Sequence, residues 1–279
     1  DWSSDVCSSD LLKYYERANE YFNKVVSNYP DSYYAFRANY NLNKNDGFMP
    51  FLELTPKPVV FPYKKSLDNN LVVKLAYLND YDLVEELCKN DKFIQSWIAH
   101  EKGNYTISSV LARNAMEELD TKPPFDDLRW RLVYPLHYYE TVNRVKGTNN
   151  PIILESIIKE ESHFNPYARS SVGAYGLMQL MPATMSEIKK NHSIPEGLDA
   201  PTESITAGSY YYANLRRMLV NKDLYAITAY NGGVGSVTSW FTKIKYNDTD
   251  EFVEQIPYPE TKNYVKKVLR TYWMYGNIY

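Results

Sequence analysis

Two adjacent glutamates, Glu160 and Glu161, close a helical pattern that starts at Ile152. Leu154, Ile157, Ile158 and Glu161 recur at spacings of three and four, so one apolar stripe ends in a carboxylate. Glu160 is turned about 100° from that stripe, which assigns it to solvent. Asn165-Pro166 stops the helix, because the residue before proline is pushed out of the helical region. A Ser- and Gly-bearing loop comes next, then Leu177-Met178-Gln179-Leu180-Met181. A carboxyl group at the end of an apolar face, opposite a glycine loop, suits a general acid. Desolvation disfavours its charged form and raises its pKa toward working pH. The plain alternative is an exposed glutamate at a helix end.

The elements that must hold this acid are helical almost throughout. The 279 residues allow one large domain or two ordinary ones, and 44% apolar with 23% charged residues reads as a globular chain. A net charge of −3 leaves no basic footprint for nucleic acid. Tyrosine is unusually frequent, 27 of 279, and most of these rings are assigned to helix packing rather than to stacking on sugars. Cys7 and Cys88 make neither a disulfide framework nor a metal site, and His163 and His192 lack partners at ligand spacing, so no metal or other cofactor is implied. No run of roughly 18 apolar residues predicts a membrane span.

Residues 1–10 are polar and pattern-poor and look foreign beside the helical pattern that begins at Leu11. They are set aside as a non-native leader, with the native N-terminus and any export signal expected to be missing. Residues 11–47 predict a helix–turn–helix with Asp31 or Ser32 as the second N-cap, similar to one tetratricopeptide-type unit. Residues 48–70 are a Pro-rich connector. Helices are then predicted over 71–90, with a break at Asp80, and over 92–102, 106–119 and 126–146, as a solenoid-like arm. The segment from Leu128 to Glu140 is expected to dock on a second domain. The boundary falls near 130–150, giving an arm over 11–127 and a second domain over 128–279.

Beyond Thr184 the chain stays helical. Thr184 and Glu187 predict a capping box, and helices are expected over 202–221, 223–230, 234–244 and 261–275, with 254–260 extended. Asn231-Gly232-Gly233 is a glycine stop. No period-two strand stands out, though Leu177–Leu180 has the pattern for a brief pairing. The fold class is therefore all-α.

Four motifs stand in order: Glu161-Ser162-x-Phe164-Asn165-Pro166; Ser170-x-Val172-Gly173-Ala174-x-Gly176-Leu177-Met178-Gln179-Leu180-Met181-Pro182-x-Thr184; Ala229-Tyr230-Asn231-Gly232-Gly233; and Ile256-Pro257-Tyr258-x-Glu260-Thr261-x-x-Tyr264-Val265. Together they resemble the soluble lytic murein transglycosylases of the Slt type, family 1, over roughly 128–279. The resemblance implies a goose-lysozyme-like catalytic domain behind a helical arm, here shortened. It implies cleavage of the MurNAc-β-1,4-GlcNAc bond of peptidoglycan strands, ended by the muramoyl C6 hydroxyl to leave a 1,6-anhydro sugar. One glutamate then serves as acid and later as base, in a periplasmic setting, and other cell-wall enzymes become candidate partners of the arm.

By position, the resemblance makes Glu161 the acid/base. It makes Ser170, Gln179, Met181, Tyr230, Asn231 and Glu260 substrate-binding residues. Each has a plainer role as well: Gln179 as a loop amide, Tyr230 and Met181 as packing, Glu260 in an ion pair. Ser171 replaces a usual Pro, and Lys262 an Arg that would bind in bidentate fashion. Glycosidases usually place two carboxylates about the bond. Glu155 and Glu160 lie elsewhere on the helix and Glu187 comes after a different loop, so one acid stands without an evident partner. That suits a nucleophile supplied by the substrate. The rivals are a lysozyme-type hydrolase on the same fold and a catalytically silent helical scaffold.

Overall fold

Polar residues at the heads of short amphipathic segments set where the helices begin. A computed structural model describes residues 2–43, 54, 57, 59 and 71–279. The Pro-rich connector of 48–70 therefore lies almost wholly outside the described residues. Within the described residues the architecture is helical, with isolated bridges only at Arg169–Tyr175 and Tyr175–Leu180, which bear out the brief pairing near Leu180.

The first hairpin pairs α1 (Trp2–Asn28) with α2 (Tyr33–Asn43). Ser32, one of the two foreseen caps, accepts a hydrogen bond from the Ala35 N–H. Asp31 is used otherwise, in an ion pair with Arg270. The foreign-looking leading residues continue α1 as helix from Trp2. Next come α3 (Leu71–Tyr77), α4 (Tyr81–Leu87), α5 (Lys92–Glu101) and α6 (Tyr105–Glu117). Asp80, Asp91 and Asn104 cap α4, α5 and α6 through side-chain oxygens. The helix expected over 126–146 is two helices, α7 (Arg129–Val133) and α8 (Tyr139–Val145). Pro135 accounts for the break: it lacks an N–H and restricts Tyr134 before it.

The second half opens with α9 (Pro151–Ser162), capped by the Asn150 side chain with Pro at the first position. It continues through α10 (Pro182–His192), α11 (Ala200–Met218), α12 (Asp223–Gly232), α13 (Val234–Lys243), α14 (Thr249–Gln255) and α15 (Pro259–Ile278). The Thr184 capping box does not form, because α10 already starts at Pro182 with Met181 as its unbonded cap. Part of the segment expected to be extended is instead α14, capped by Asp248 on the Glu251 N–H.

Every residue of α9 from Pro151 to Lys159 is buried. A helix covered on all sides is a core element, packed here against α15 and α8. The arm and the second half share this core. Tyr275 and Tyr279 of α15 and its end donate to the carbonyls of Pro135 and Tyr134, docking the 128–140 segment as expected. The first hairpin also turns back onto α14 and α15: Arg37 makes a two-bonded ion pair with Asp250 of α14 at 2.6 and 2.7 Å, and Tyr33 and Phe36 pack on Trp273 of α15. A smaller apolar group of Leu180, Ile188, Ile194 and Ala207 supports α10 beside the glycine loop.

Candidate active site

Glu161 stands in the last turn of α9, which ends because His163 and Phe164 both adopt left-handed backbone, with φ of 48° and 64°. This reversal throws the chain away from the helix axis. Asn165 steadies the exit by accepting from the Tyr167 N–H through its side chain. Burial dominates the surroundings of Glu161 and raises its pKa to about 7, against an ordinary 4.5. The Tyr264 hydroxyl opposes the rise by favouring the carboxylate, and the negative charges of Glu160 and Glu260 add to it. At neutral pH this carboxyl group is therefore poised between acid and base, as a group that donates and then recovers a proton must be.

Glu160 does not face solvent. Its side chain is 12% exposed; it accepts from the Thr271 hydroxyl, and the Lys159 ammonium lies 3.8 Å away. Burial alone would raise its pKa, but Lys159 and Thr271 outweigh that and hold it below the usual carboxylate range. Periodicity misplaced Glu160 because α9 has no solvent side; leaving the apolar stripe only turns a side chain toward α15. Two neighbouring acids are thus driven in opposite directions, one fixed as an anion and one kept protonable. Glu155 is a third case: it is fully buried, neither carboxyl oxygen has a well-formed hydrogen bond, and burial, opposed only by the nearby Tyr138 backbone N–H, pushes it up to about 8.

The loop over 163–181 is knitted by its own backbone. Tyr175 N–H bonds the Leu180 carbonyl at 3.0 Å and Gly176 N–H the Ala168 carbonyl at 3.0 Å. Gly176, at φ 82°, leaves no room for a side chain, since a Cβ would stand 2.7 Å from Ser204 Oγ. Gln179 also takes positive φ, and its amide nitrogen donates to the Ala168 and Gly176 carbonyls at 3.0 and 2.8 Å. The donor end of Gln179 is spent on holding the loop. Its carbonyl oxygen is what remains for a ligand. Ser170 is similarly engaged, with Oγ accepting from the Ala174 N–H at 2.9 Å, which leaves its own O–H as donor.

Tyr230, on α12, donates to the Met178 carbonyl at 2.8 Å and packs edge-on against Tyr211. Burial and then the nearby Glu161 charge push its phenol well up, so it stays protonated. It ties the glycine loop to α12 beside the acid. Asn231 accepts from the Thr261 hydroxyl at 2.7 Å, joining α12 to the first turn of α15. Glu260 in that turn is exposed and has no ion pair among the described residues; its charge reaches Glu161. Met181 is 43% exposed at the head of α10, open to a ligand. Lys262 spends its ammonium on the Glu254 carbonyl.

Tyr264 received no role from the sequence pattern. Its hydroxyl is buried, has no well-formed hydrogen bond in the resting site, and lies within range of Glu161. It stands three residues after Thr261 on α15, one turn along the same face, and that spacing was the available signal. Ser204 of α11 was also missed: its Oγ accepts from the Met178 N–H at 3.1 Å, bracing the loop from behind.

Fold and site thus define an α-helical domain in which one protonable glutamate is walled by a glycine loop, two phenols and an exposed acid. Residues 139–253 match the family described as the Transglycosylase SLT domain. The soluble lytic murein transglycosylase of Salmonella typhimurium is 37% identical over 146 residues, which is 49% of this chain and 22% of that protein. Its counterpart from Escherichia coli K12 is 36% identical over 145 residues, with the same coverage. This chain therefore aligns with less than a quarter of the length of those relatives. The fold is that of the 70 kDa soluble lytic transglycosylase Slt70 of Escherichia coli, with a TM-score of 0.68 at 23% identity, covering 98% of this chain and 44% of that one. A lytic transglycosylase Slt from Pseudomonas aeruginosa aligns at TM-score 0.65 and 23% identity, covering 92% of this chain and 42% of that one.

Proposed function

We propose that this chain is a peptidoglycan lytic transglycosylase of the bacterial periplasm in which Glu161 is the single acid and base. Glu161 gives its proton to the glycosidic oxygen between MurNAc and GlcNAc, and the bond from MurNAc C1 to that oxygen breaks. The muramoyl C6 hydroxyl then bonds to C1 and returns its proton to Glu161. No water is consumed, and the product is a 1,6-anhydro end. The observation that carries this reading is the pairing of one raised carboxyl group with neighbours unfit to act as nucleophile. Glu160 is bound to Thr271 and Lys159, and Glu155 is sealed in the core. Ser170, Gln179, Met181, Tyr230, Asn231 and Glu260 line the proposed substrate groove, and Tyr264 steadies the carboxylate phase. The Pseudomonas aeruginosa structure is that of an inactive mutant in which glutamine replaces a glutamate.

The test is mass analysis of muropeptides released from purified sacculi. Anhydro ends support the proposal. Reducing ends, heavier by one water, would show a lysozyme-type hydrolase, and no release above a Glu161→Gln control would show a silent scaffold.

A further inference from the structure

A cavity of about 350 Å³ opens between the arm and the second half, lined by Glu160 and His163 but not by Glu161 or its two phenols. Helices α6, α9 and α15 each bring cations to it. Five cationic side chains line it (Arg113, Lys122, Lys159, Lys267, Arg270) against three carboxylates, a net of +2 with His163 neutral, on a chain whose overall charge is −3.

Most of the opposing charge is already committed. Asp31 pairs with Arg270 at 2.6 Å, and Glu160 is held by the Thr271 hydroxyl. Lys122 gives its ammonium to the Met116 carbonyl at 2.7 Å. Arg113 and Lys267 make no ion pair or hydrogen bond with any described residue. Lys159 is the notable member: it is 5% exposed, its ammonium is 3.8 Å from the nearest carboxylate oxygen, and it sits 4.6 Å over the Tyr134 ring. The fold gives this ammonium an ion pair and a ring face but no hydrogen-bonded acceptor, and Lys159 lines the cavity, where a ligand could supply one. Burial, and then the like charges of Arg270, Arg113 and Lys267 against the single attraction of Glu160, hold its pKa below the ordinary lysine value. An anion in the cavity would reverse that balance.

We propose that this cavity is a binding site for a phosphoryl dianion, either inorganic phosphate or a phosphomonoester end group. The net lining charge matches a group carrying about −2 near neutral pH. The guanidinium of Arg113 offers a planar fork, and Lys159 and Lys267 offer point charges, the usual means of holding phosphate oxygens. The volume far exceeds the roughly 30 Å³ that one water occupies, so a polyatomic anion is accommodated.

The test is calorimetric titration of the full chain at pH 7.5 and constant ionic strength with inorganic phosphate, glycerol 3-phosphate and acetate, alongside Arg113→Ala and Lys267→Glu. We expect saturable phosphate binding, little acetate binding, and affinity weakened ~10-fold in Arg113→Ala, the loss of one charge-assisted contact, and by more than that in Lys267→Glu, which reverses a charge and brings the lining to zero. Without phosphate, Lys267→Glu should melt no lower than the wild type, because like-charge repulsion is relieved; this separates lost binding from lost folding. Equal affinity for glycerol 3-phosphate identifies an esterified ligand, and preference for inorganic phosphate identifies the free ion. Heats from acetate equal to those from phosphate, or unchanged affinity in both variants, would overturn the proposal.

Discussion

Glu161→Gln should stabilise the protein in a pH-dependent way while removing its activity. The carboxyl group titrates near 7 in the folded chain, because burial disfavours its anion, and near 4.5 when unfolded. That difference corresponds to on the order of 3 kcal/mol. The sign comes from proton binding. Below pH 4.5 both states hold the proton and the group contributes nothing. Between 4.5 and about 7 the folded state keeps a proton that the unfolded state has lost, so stability falls as pH rises. Above 7 the full cost persists. Glutamine has the same shape and no such cost. Urea unfolding of wild type and Glu161→Gln from pH 4 to pH 8 should therefore give a stability difference that widens by about 2–3 kcal/mol and then levels off. Glu155, also raised, titrates in both proteins and cancels in the difference. In parallel, release of muropeptides by the wild type should decline above pH 7 as the acid loses its proton, and the variant should fall ~10³-fold or more. A difference that stays flat across this range would refute the desolvated-acid argument. So would a wild-type rate still climbing at pH 9.

Other perturbations probe what holds the site. Glu155→Met replaces a buried carboxyl group that lacks a well-formed hydrogen bond with an apolar chain of similar length, and should raise stability at pH 8 by about 1–3 kcal/mol in urea unfolding. Gly208→Ala would place a Cβ 2.8 Å from Met178 Cβ, and closer still to its sulfur; the displaced Met178 carries the carbonyl that Tyr230 grips, so muropeptide release should drop along with about 1–3 kcal/mol of stability. Arg37→Ala breaks the pair that fastens the first hairpin to Asp250, and should cost about 2–4 kcal/mol, with amide exchange accelerating first in α2 and α14.

The sequence carried a good deal of this by itself. Apolar periodicity marked α9 and placed Glu161 at the end of its stripe, because these are local preferences; Asn165-Pro166 set an outer limit, but the helix stops earlier, where His163 and Phe164 turn left-handed. Glycine spacing marked the loop, since only glycine relieves the close approach of Ser204 at position 176. Local pattern could not reveal that α9 is buried on every side, so it sent Glu160 to water when Thr271 and Lys159 were waiting for it. It could not distinguish Gln179 as a ligand-facing side chain from Gln179 as the amide bracing the loop, because its hydrogen-bond partners are folded-loop carbonyls. Nor could it bring Tyr264, over a hundred positions away, beside Glu161, or gather Arg113, Lys159 and Lys267 around one cavity. Helix starts and stops are decided within a few residues. The proton affinity of a side chain is decided by what excludes water from it and which charges face it, and only the packed tertiary structure supplies those.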